Sequence, residues 1–313
     1  MRFGLQIFSF TWPGGPDAIG PNLARAVRTA DEVGFDSIWV MDHFWQIGGP
    51  GSELQPMLEG WTTLGFMAAN SQRARLGLMV GGVHYRNPGL WVKAATTLDV
   101  LSGGRAWLGI GAGWNQAESE GLGFPFPPLG ERFDQLEDTL RIAHGMWHGE
   151  RGTEEDFKGR QSHAGRLLNV PQSISRPRVP IMIGGGGEKR TLRLVAQYAD
   201  ASNMFGGPEQ LVPKYAVLAE HCAAVGRDFG EIERTNLQGI ALSDRGAAWG
   251  RQRESPDQLV ERFGRLAEAG VQHVILSVGD ADDAAALEAL GRDVLPQLRG
   301  VEAADPRRLA SPA

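Results

Sequence analysis

An aspartate and a histidine stand where an apolar run of the chain ends. The run from Ser37 to Met41 is typical of a buried strand, and Asp42 and His43 follow it directly. A histidine at the end of a strand can donate a proton or hydrogen-bond a cofactor carbonyl, because its pKa lies near neutrality. The Asp42 carboxylate can accept a hydrogen bond from a cofactor hydroxyl. The alternative is a pair that caps a helix or organises its loop.

Four consecutive glycines form a second candidate site. They follow the apolar run 181–183 and precede an amphipathic run that opens at Glu188. Backbone N–H groups without Cβ cover at a helix start bind anions, so this turn is predicted to hold a phosphate. Lys189 and Arg190 would oppose the helix dipole there unless an anion is bound. A tight strand-to-helix turn is the alternative, and the spacing of a P-loop is absent. The four residues are Gly184, Gly185, Gly186 and Gly187.

Two further glycine groups follow predicted strands. Gly81 and Gly82 would let a flat ring lie directly on the backbone, and a β-bulge that helps to close a barrel is the alternative. Gly111 and Gly113 belong to a GxGxG run that opens no helix with the Rossmann spacing and has no acidic residue placed to hold a ribose. We predict that all four glycines contact a cofactor.

Aromatic and amide side chains near these turns are candidates for a substrate pocket. Trp114 and Asn115 follow the GxGxG run and could wall and hydrogen-bond a substrate. Trp12, Trp45 and Trp114 would form an aromatic rim if their three loops meet. Asn203 ends another predicted strand. By contrast, Glu118 and Glu120 are expected on the surface or as anchors of their loop, and His84 and Tyr85 as pocket liners or loop packing.

The elements that position these residues alternate along the chain. Strands are predicted at 2–8, 37–41, 75–80, 106–110, 180–183, 201–204, 235–242 and 273–277. Helices are predicted at 22–33, 61–71, 88–101, 131–147, 188–198, 208–225, 256–269 and 280–291. Eight strands alternating with eight helices predict an α/β fold, a (β/α)8 TIM barrel, in preference to a doubly wound open sheet. The carboxyl ends of barrel strands share one face, so the candidate residues should converge there.

The composition limits the domain organisation and the function class. The 313 residues are 42% hydrophobic and 22% charged, with a net charge of −6 and no basic block, so nucleic-acid and membrane partners are not expected. One cysteine, Cys222, excludes an intramolecular disulfide and fits the cytoplasm. The histidines show no HExxH or similar metal-ligand grouping, so no metal is predicted. We expect one barrel domain at 1–300, an insertion near 114–178 that holds either a hairpin or an irregular excursion, and a polar tail at 301–313.

Several joined motifs make the chain resemble a known family. In order they are WVMDHF, YRNP, AATTLDVLSGGR, LGIGAGWNQAE, GERF and IGGGGEKRTLRLVAQYAD, and they lie between Trp39 and Asp200. The chain resembles the luciferase-like monooxygenase superfamily, and within it the oxidoreductases that use the deazaflavin coenzyme F420. The resemblance implies a barrel with an insertion after strand four, and a cofactor at its C-terminal mouth with Asp42 and His43 near the ring. It also implies a non-prolyl cis peptide within 78–82.

The same resemblance implies the reaction. The expected chemistry is hydride transfer between C5 of the deazaflavin and a small organic substrate, with His43 as proton donor or cofactor-orienting group. The glycine turn would hold the cofactor phosphate, with Lys189 and Arg190 as charge partners. Members of the family often form homodimers. An FMN-dependent monooxygenase and a non-catalytic ligand-binding barrel are the alternatives.

One position departs from the family pattern. Sugar-phosphate dehydrogenases of this superfamily place a catalytic glutamate just after the strand-four glycines, and Trp114 occupies that position here. The departure disfavours that activity and predicts a less polar substrate.

Overall fold

The computed structural model describes residues 1–48, 51–247 and 253–308, and its centre is a closed parallel barrel. Nine strands pair in the order β3-β2-β1-β11-β10-β9-β8-β5-β4, and a further pairing of β3 with β5 closes the ring. The strands are β1 Arg2–Ile7, β2 Ser37–Val40, β3 Arg75–Leu78, β4 Gly81–Gly82, β5 Ala106–Gly111, β8 Ile181–Gly184, β9 Ala201–Met204, β10 Glu233–Gly239 and β11 His273–Val278.

The third stave of the barrel is divided between two strands. β3 pairs with β5 at Leu76 and Gly77, and β4 pairs with the same strand further along. The Met79–Val80 peptide between them is cis, within the segment where the sequence predicted a non-prolyl cis bond, so that prediction is confirmed. Counting β3 and β4 as one stave leaves eight parallel staves, and the predicted (β/α)8 barrel is confirmed.

Helices cover the outside of the barrel. They are α1 Pro16–Val33, α2 Gly60–Ala69, α3 Pro88–Ser102, α4 Gln116–Gly121, α5 Leu129–Met146, α6 Thr191–Tyr198, α7 Pro208–Ala224, α8 Asp244–Ala247, α9 Pro256–Glu268, α10 Ala284–Asp293 and α11 Leu295–Arg299. α1 begins six residues before the predicted start because Pro16 is preorganised for a first helical turn. α6 begins at Thr191, three residues later than predicted, because residues 188–190 form a turn.

The barrel interior is packed with large side chains around small ones. Trp39, Met79, Trp107 and Met182 are buried in one apolar cluster inside the ring. Gly77 makes room for this cluster, because a Cβ there would lie 2.5 Å from the Trp39 ring. The interior is therefore filled at mid-height, and the strand ends above it are left to form a site.

The segment between β5 and β8 leaves the barrel and returns. It contains α4, α5 and an antiparallel hairpin of β6 Phe157–Lys158 and β7 His163–Ala164, the first of the two sequence alternatives. Buried Asp138 of α5 holds the hairpin turn by accepting hydrogen bonds from the Gln161 and Ser162 amides at 2.7 and 2.9 Å. At the chain's end, the Ala304 amide donates to the Ala267 carbonyl at 2.9 Å. Residues 309–313 of the predicted tail lie outside the described residues.

Candidate active site at the barrel mouth

A cavity of about 1070 Å³ opens at the carboxyl ends of the strands. Its volume exceeds the usual range for a site that holds one drug-sized ligand, so it can accommodate a large cofactor together with a substrate. The predicted convergence is largely present. The cavity is lined by predicted residues from five staves, namely His43, Gly81, Gly111, Gly113, Trp114, Gly184, Gly185, Gly187 and Asn203.

His43 is held in a fixed orientation by a buried carboxylate. Its Nδ1 lies 2.9 Å from Oε2 of Glu118, which comes from the first turn of α4 and is fully buried. Burial raises the pKa of Glu118, but hydrogen bonds from His43, the Trp45 amide and Tyr85 outweigh it and leave the pKa below its usual range. The carboxylate is therefore ionised, Nδ1 of His43 carries the hydrogen, and Nε2 has no hydrogen-bond partner within the described ranges.

Glu118 connects His43 to the backbone of its own loop and to Tyr85. Its Oε1 accepts hydrogen bonds from the Phe44 and Trp45 amides at 2.6 and 2.8 Å, and its Oε2 accepts one from the Tyr85 hydroxyl. Burial, together with the adjacent Glu118 carboxylate, raises the pKa of Tyr85, so the phenol stays protonated and keeps donating. The loop after β2 and the helix after β5 are thus joined through a single carboxylate.

Asp42 occupies a different place from the one predicted. Its side chain is buried outside the cavity lining, where it forms a bidentate ion pair with Arg86 at 2.6 and 2.8 Å. Arg86 also donates to Glu59 at 2.7 Å and lies over the Trp91 ring. Both Asp42 oxygens are therefore engaged within the protein, and the structure does not place them to receive a cofactor hydroxyl.

The predicted glycine contacts divide into two groups. A Cβ on Gly111 or Gly184 would come within 3.2 or 2.6 Å of the Val80 side chain, so these glycines close around the residue after the cis peptide. A Cβ on Gly82 would lie 2.8 Å from the Tyr85 ring, and the space beside Gly81 is filled in the same way by Trp91. Much of the space left by these glycines is therefore occupied by the protein's own side chains.

The four-glycine turn retains the features of an anion site. The backbone amides of Gly186 and Gly187 have no hydrogen-bond partner among the residues that the structure describes. The turn leads into α6, whose first residue, Thr191, also lines the cavity. A cation beside it is Lys214 of α7, whose Nζ lies 2.7 Å from the Gly186 carbonyl oxygen and 3.5 Å from Oε1 of Glu188.

The charge partners predicted for this turn lie elsewhere. Arg190 donates to the Gly130 carbonyl and to Asp134 of α5, and its guanidinium lies 4.9 Å from the centroid of the Phe133 ring. Lys189 is exposed and does not line the cavity. Arg190, which the sequence assigned to the phosphate, is therefore paired with Asp134 of α5. The positive charge near the turn comes from Lys214.

Two of the five predicted pocket residues line the cavity. Trp114 is 64% exposed and contacts the His43 ring edge-on, and Asn203 donates to Thr235 at 2.8 Å. Trp12 is buried and donates to the Gly279 carbonyl at 3.0 Å, so no rim of three tryptophans forms. Trp45 packs against Gly121, and Asn115 caps α4 by accepting from the Glu118 amide.

Sequence reasoning missed Glu118, Arg86 and Lys214. Glu118 had a local signal, because Asn115 and Glu118 have the spacing of an N-cap and the acidic residue three positions later. Arg86 and Lys214 act across distances of 44 and 28 residues along the chain, and no local pattern predicts such contacts. Groups of three or more potential metal ligands, and helices able to cross a membrane, are both absent from the described residues.

Comparison with known proteins identifies the family. The profile of the luciferase-like monooxygenase family matches residues 1–291. The chain belongs to the luciferase-like monooxygenase family. A relative from Beutenbergia cavernae, an F420-dependent glucose-6-phosphate dehydrogenase, is 28% identical over 87% of this chain and 92% of its own length.

Solved structures of the luciferase-like fold superpose over nearly the whole chain. The coenzyme F420 dependent tetrahydromethanopterin reductase from Methanopyrus kandleri has a TM-score of 0.76 at 18% identity, covering 94% of this chain and 98% of its own. The long-chain alkane monooxygenase LadA has a TM-score of 0.79 at 13% identity, covering 97% and 93%. Because the identities are this low, the two structures establish only the fold of this chain.

Proposed function

We propose that this protein is an F420-dependent oxidoreductase that transfers a hydride between the deazaflavin and a small organic substrate. The observation that carries the proposal is the position of His43. Its ring borders the same cavity as the glycine turn, its Nδ1 is committed to Glu118, and its Nε2 is left for the ligand. The F420 dependence of the relative from Beutenbergia cavernae supports the choice of cofactor.

The residues at the mouth fit such a cofactor. F420 carries a phosphate on its side chain, and the partnerless amides of Gly186 and Gly187, with Lys214 beside them, suit a phosphate oxygen. Val80 and the glycines around it line the cavity and would offer a planar ring an apolar contact surface. The turn, Thr191 and Lys214 would therefore hold the tail, and the ring would lie toward His43.

The protein's contribution to the reaction is positioning and proton transfer. A bound deazaflavin supplies or accepts the hydride at its ring carbon C5. Nε2 of His43 exchanges a proton with the substrate oxygen, while Glu118 stabilises the imidazolium through Nδ1. Tyr85 and the two loop amides keep the Glu118 carboxylate in place, so the ring cannot turn away. Apolar side chains around the mouth would help to exclude water from the reacting carbon once a cofactor and a substrate cover them.

A cofactor titration tests this function. The purified full-length chain is titrated with F420 and separately with FMN, and binding is followed by tryptophan fluorescence. We expect F420 to bind more tightly, and Lys214→Ala to weaken its binding about tenfold through loss of a charge near the phosphate. Glu220→Ala, an exposed position on the same helix, is the control. Tighter binding of FMN would favour the monooxygenase alternative, and binding of neither would favour a non-catalytic barrel.

Two expectations from the sequence remain predictions. They are the cytoplasmic location and the association of two copies into a homodimer.

A further inference from the structure

The described wall of the cavity contains a single titratable side chain, His43. Lys214 lies beside the glycine turn, where it would meet the cofactor phosphate, and two arginines are paired within the protein. Arg86 is held by Asp42 and Glu59, and Arg190 is held by Asp134. With Lys214 taken by the cofactor phosphate, a phosphorylated or carboxylated substrate would find no lysine or arginine in the described wall of the cavity, and an unpaired buried charge is strongly unfavourable.

Large apolar side chains surround the opening instead. Trp114 follows β5, Phe205 follows β9 and Leu129 begins α5, and the three side chains are 64%, 67% and 54% exposed. All three line the same cavity, together with the buried Phe8. A single exposed apolar residue is ordinary, but several around one cavity indicate a surface that a ligand covers.

The position of Trp114 links this apolar surface to the reacting atoms. The Trp114 ring packs edge-on against the His43 ring, with their centroids 5.5 Å apart. A molecule that lies against Trp114 is therefore adjacent to the group that exchanges the proton. Phe205, on the loop after β9, offers a second apolar surface at the same mouth.

We propose that the substrate is an uncharged, largely apolar ketone and its secondary alcohol, held by Trp114 and Phe205, and that a sugar phosphate is excluded. This inference rests on the proposed function. In reduction, the hydride from the reduced deazaflavin forms a C–H bond at the carbonyl carbon, and the π electron pair moves to oxygen. That oxygen takes a proton from Nε2 of the doubly protonated His43 ring, which has gained it from water and is left neutral with its hydrogen on Nδ1, and the deazaflavin would be left oxidised. In the reverse direction the alcohol loses the same hydride and proton.

The substrate proposed for this chain differs from that of a relative in the same family. The protein from Beutenbergia cavernae is named for glucose 6-phosphate and is 28% identical.

Matched substrates test the inference directly. The full-length protein is assayed with reduced F420 and cyclohexanone or a bicyclic ketone, and with oxidised F420 and glucose 6-phosphate. We expect turnover of the ketones, a higher kcat/KM for the larger one because it buries more apolar surface, and no turnover of the sugar phosphate. A higher kcat/KM for glucose 6-phosphate would overturn the inference and leave the proposed function standing.

Side-chain variants locate the apolar surface. We expect Trp114→Ala and Phe205→Ala each to raise KM for the bicyclic ketone about tenfold with little change in kcat, and Trp114→Phe to restore most of the affinity. Leu101→Ala is the matched control, because Leu101 is 77% exposed on α3 outside the cavity. Equal effects of Leu101→Ala and Trp114→Ala would contradict the assignment.

A cofactor-free measurement separates the two proposals. Binding of the bicyclic ketone to the protein alone is followed by tryptophan fluorescence in wild type and in Trp114→Phe. Ketone binding without F420 binding would disprove the proposed function and support the apolar site. F420 binding without ketone binding or turnover would disprove the apolar substrate and retain the cofactor.

Discussion

The barrel carries a histidine–glutamate pair at each end, and the distance from Nδ1 to the carboxylate is the same in both pairs. At the mouth, Nδ1 of His43 lies 2.9 Å from Glu118, and at the opposite end Nδ1 of His273 lies 2.9 Å from Glu233. Burial raises the pKa of both glutamates. The partner histidine, together with other hydrogen-bond donors at Glu118 and with positive charges at Glu233, lowers the pKa by more, so both values lie below the usual range. The internal geometry of a pair therefore does not identify the catalytic one.

The second ring nitrogen distinguishes the pairs. Nε2 of His273 lies 3.0 Å from the Ser37 hydroxyl, which accepts a hydrogen bond from the Trp39 indole at 2.7 Å. This chain of hydrogen bonds uses both nitrogens of His273 and borders a cavity of only about 270 Å³. Nε2 of His43 is left without a partner by the described residues and borders a cavity of about 1070 Å³. A fully satisfied pair stabilises the fold, whereas a pair with one open nitrogen can exchange a proton with a ligand.

The largest effect that separates the pairs is expected from the glutamates. In Glu118→Gln the amide N–H faces Nδ1 of His43, so the ring proton moves to Nε2 and the histidine is held in the wrong tautomer. We expect kcat for alcohol oxidation, in which Nε2 must accept the proton, to fall by roughly 10²- to 10⁴-fold, by analogy with other orienting carboxylates. Glu233→Gln should leave kcat close to the wild-type value. Steady-state assays with the secondary alcohol and oxidised F420 measure both, and equal losses in the two variants would mean that the comparison is wrong.

A smaller effect is expected on stability in acid, and there the two pairs should behave alike. The pKa of each glutamate is lower in the folded chain than in the unfolded chain, so its stabilising contribution is complete above the unfolded pKa. That contribution is lost as the pH falls through the folded pKa. Glu118→Gln and Glu233→Gln should each flatten the decline of the urea midpoint below about pH 4.3. The exposed Glu220→Gln is the control, and an unchanged slope in either buried variant would contradict the ionised state inferred here.

The sequence was sufficient to predict the barrel, because each strand is a short apolar run between turn residues. It also placed His43, Trp114, Asn203 and most of the glycines at the mouth, since strand ends share one face of a barrel. It did not reveal how loops pack. Trp12 was expected at the rim, but its indole donates to the carbonyl of Gly279 on the last stave's loop.

Charged groups were predicted least well, because their partners are distant in the chain. Arg190 was assigned to a phosphate from its place after the glycines, but Asp134 of α5 binds it. Asp42 was assigned to a cofactor, but Arg86 binds it. His273 and Glu233 belong to the neighbouring strands β11 and β10 and are 40 residues apart along the chain. Ion pairs of this kind depend on tertiary packing, which a local pattern does not contain.

The most direct test of the account compares His43→Ala with His273→Ala in F420-linked ketone reduction. We expect His43→Ala to bind F420 normally and to lose roughly 10²- to 10⁴-fold in kcat, because the substrate oxygen loses its proton donor. His273→Ala should keep the wild-type kcat. Its free energy of unfolding should fall by about 1–3 kcal/mol, because Ser37 and Glu233 lose a buried partner. Wild-type turnover by His43→Ala, or an equal loss of kcat in both variants, would contradict the assignment of catalysis to the open pair at the mouth.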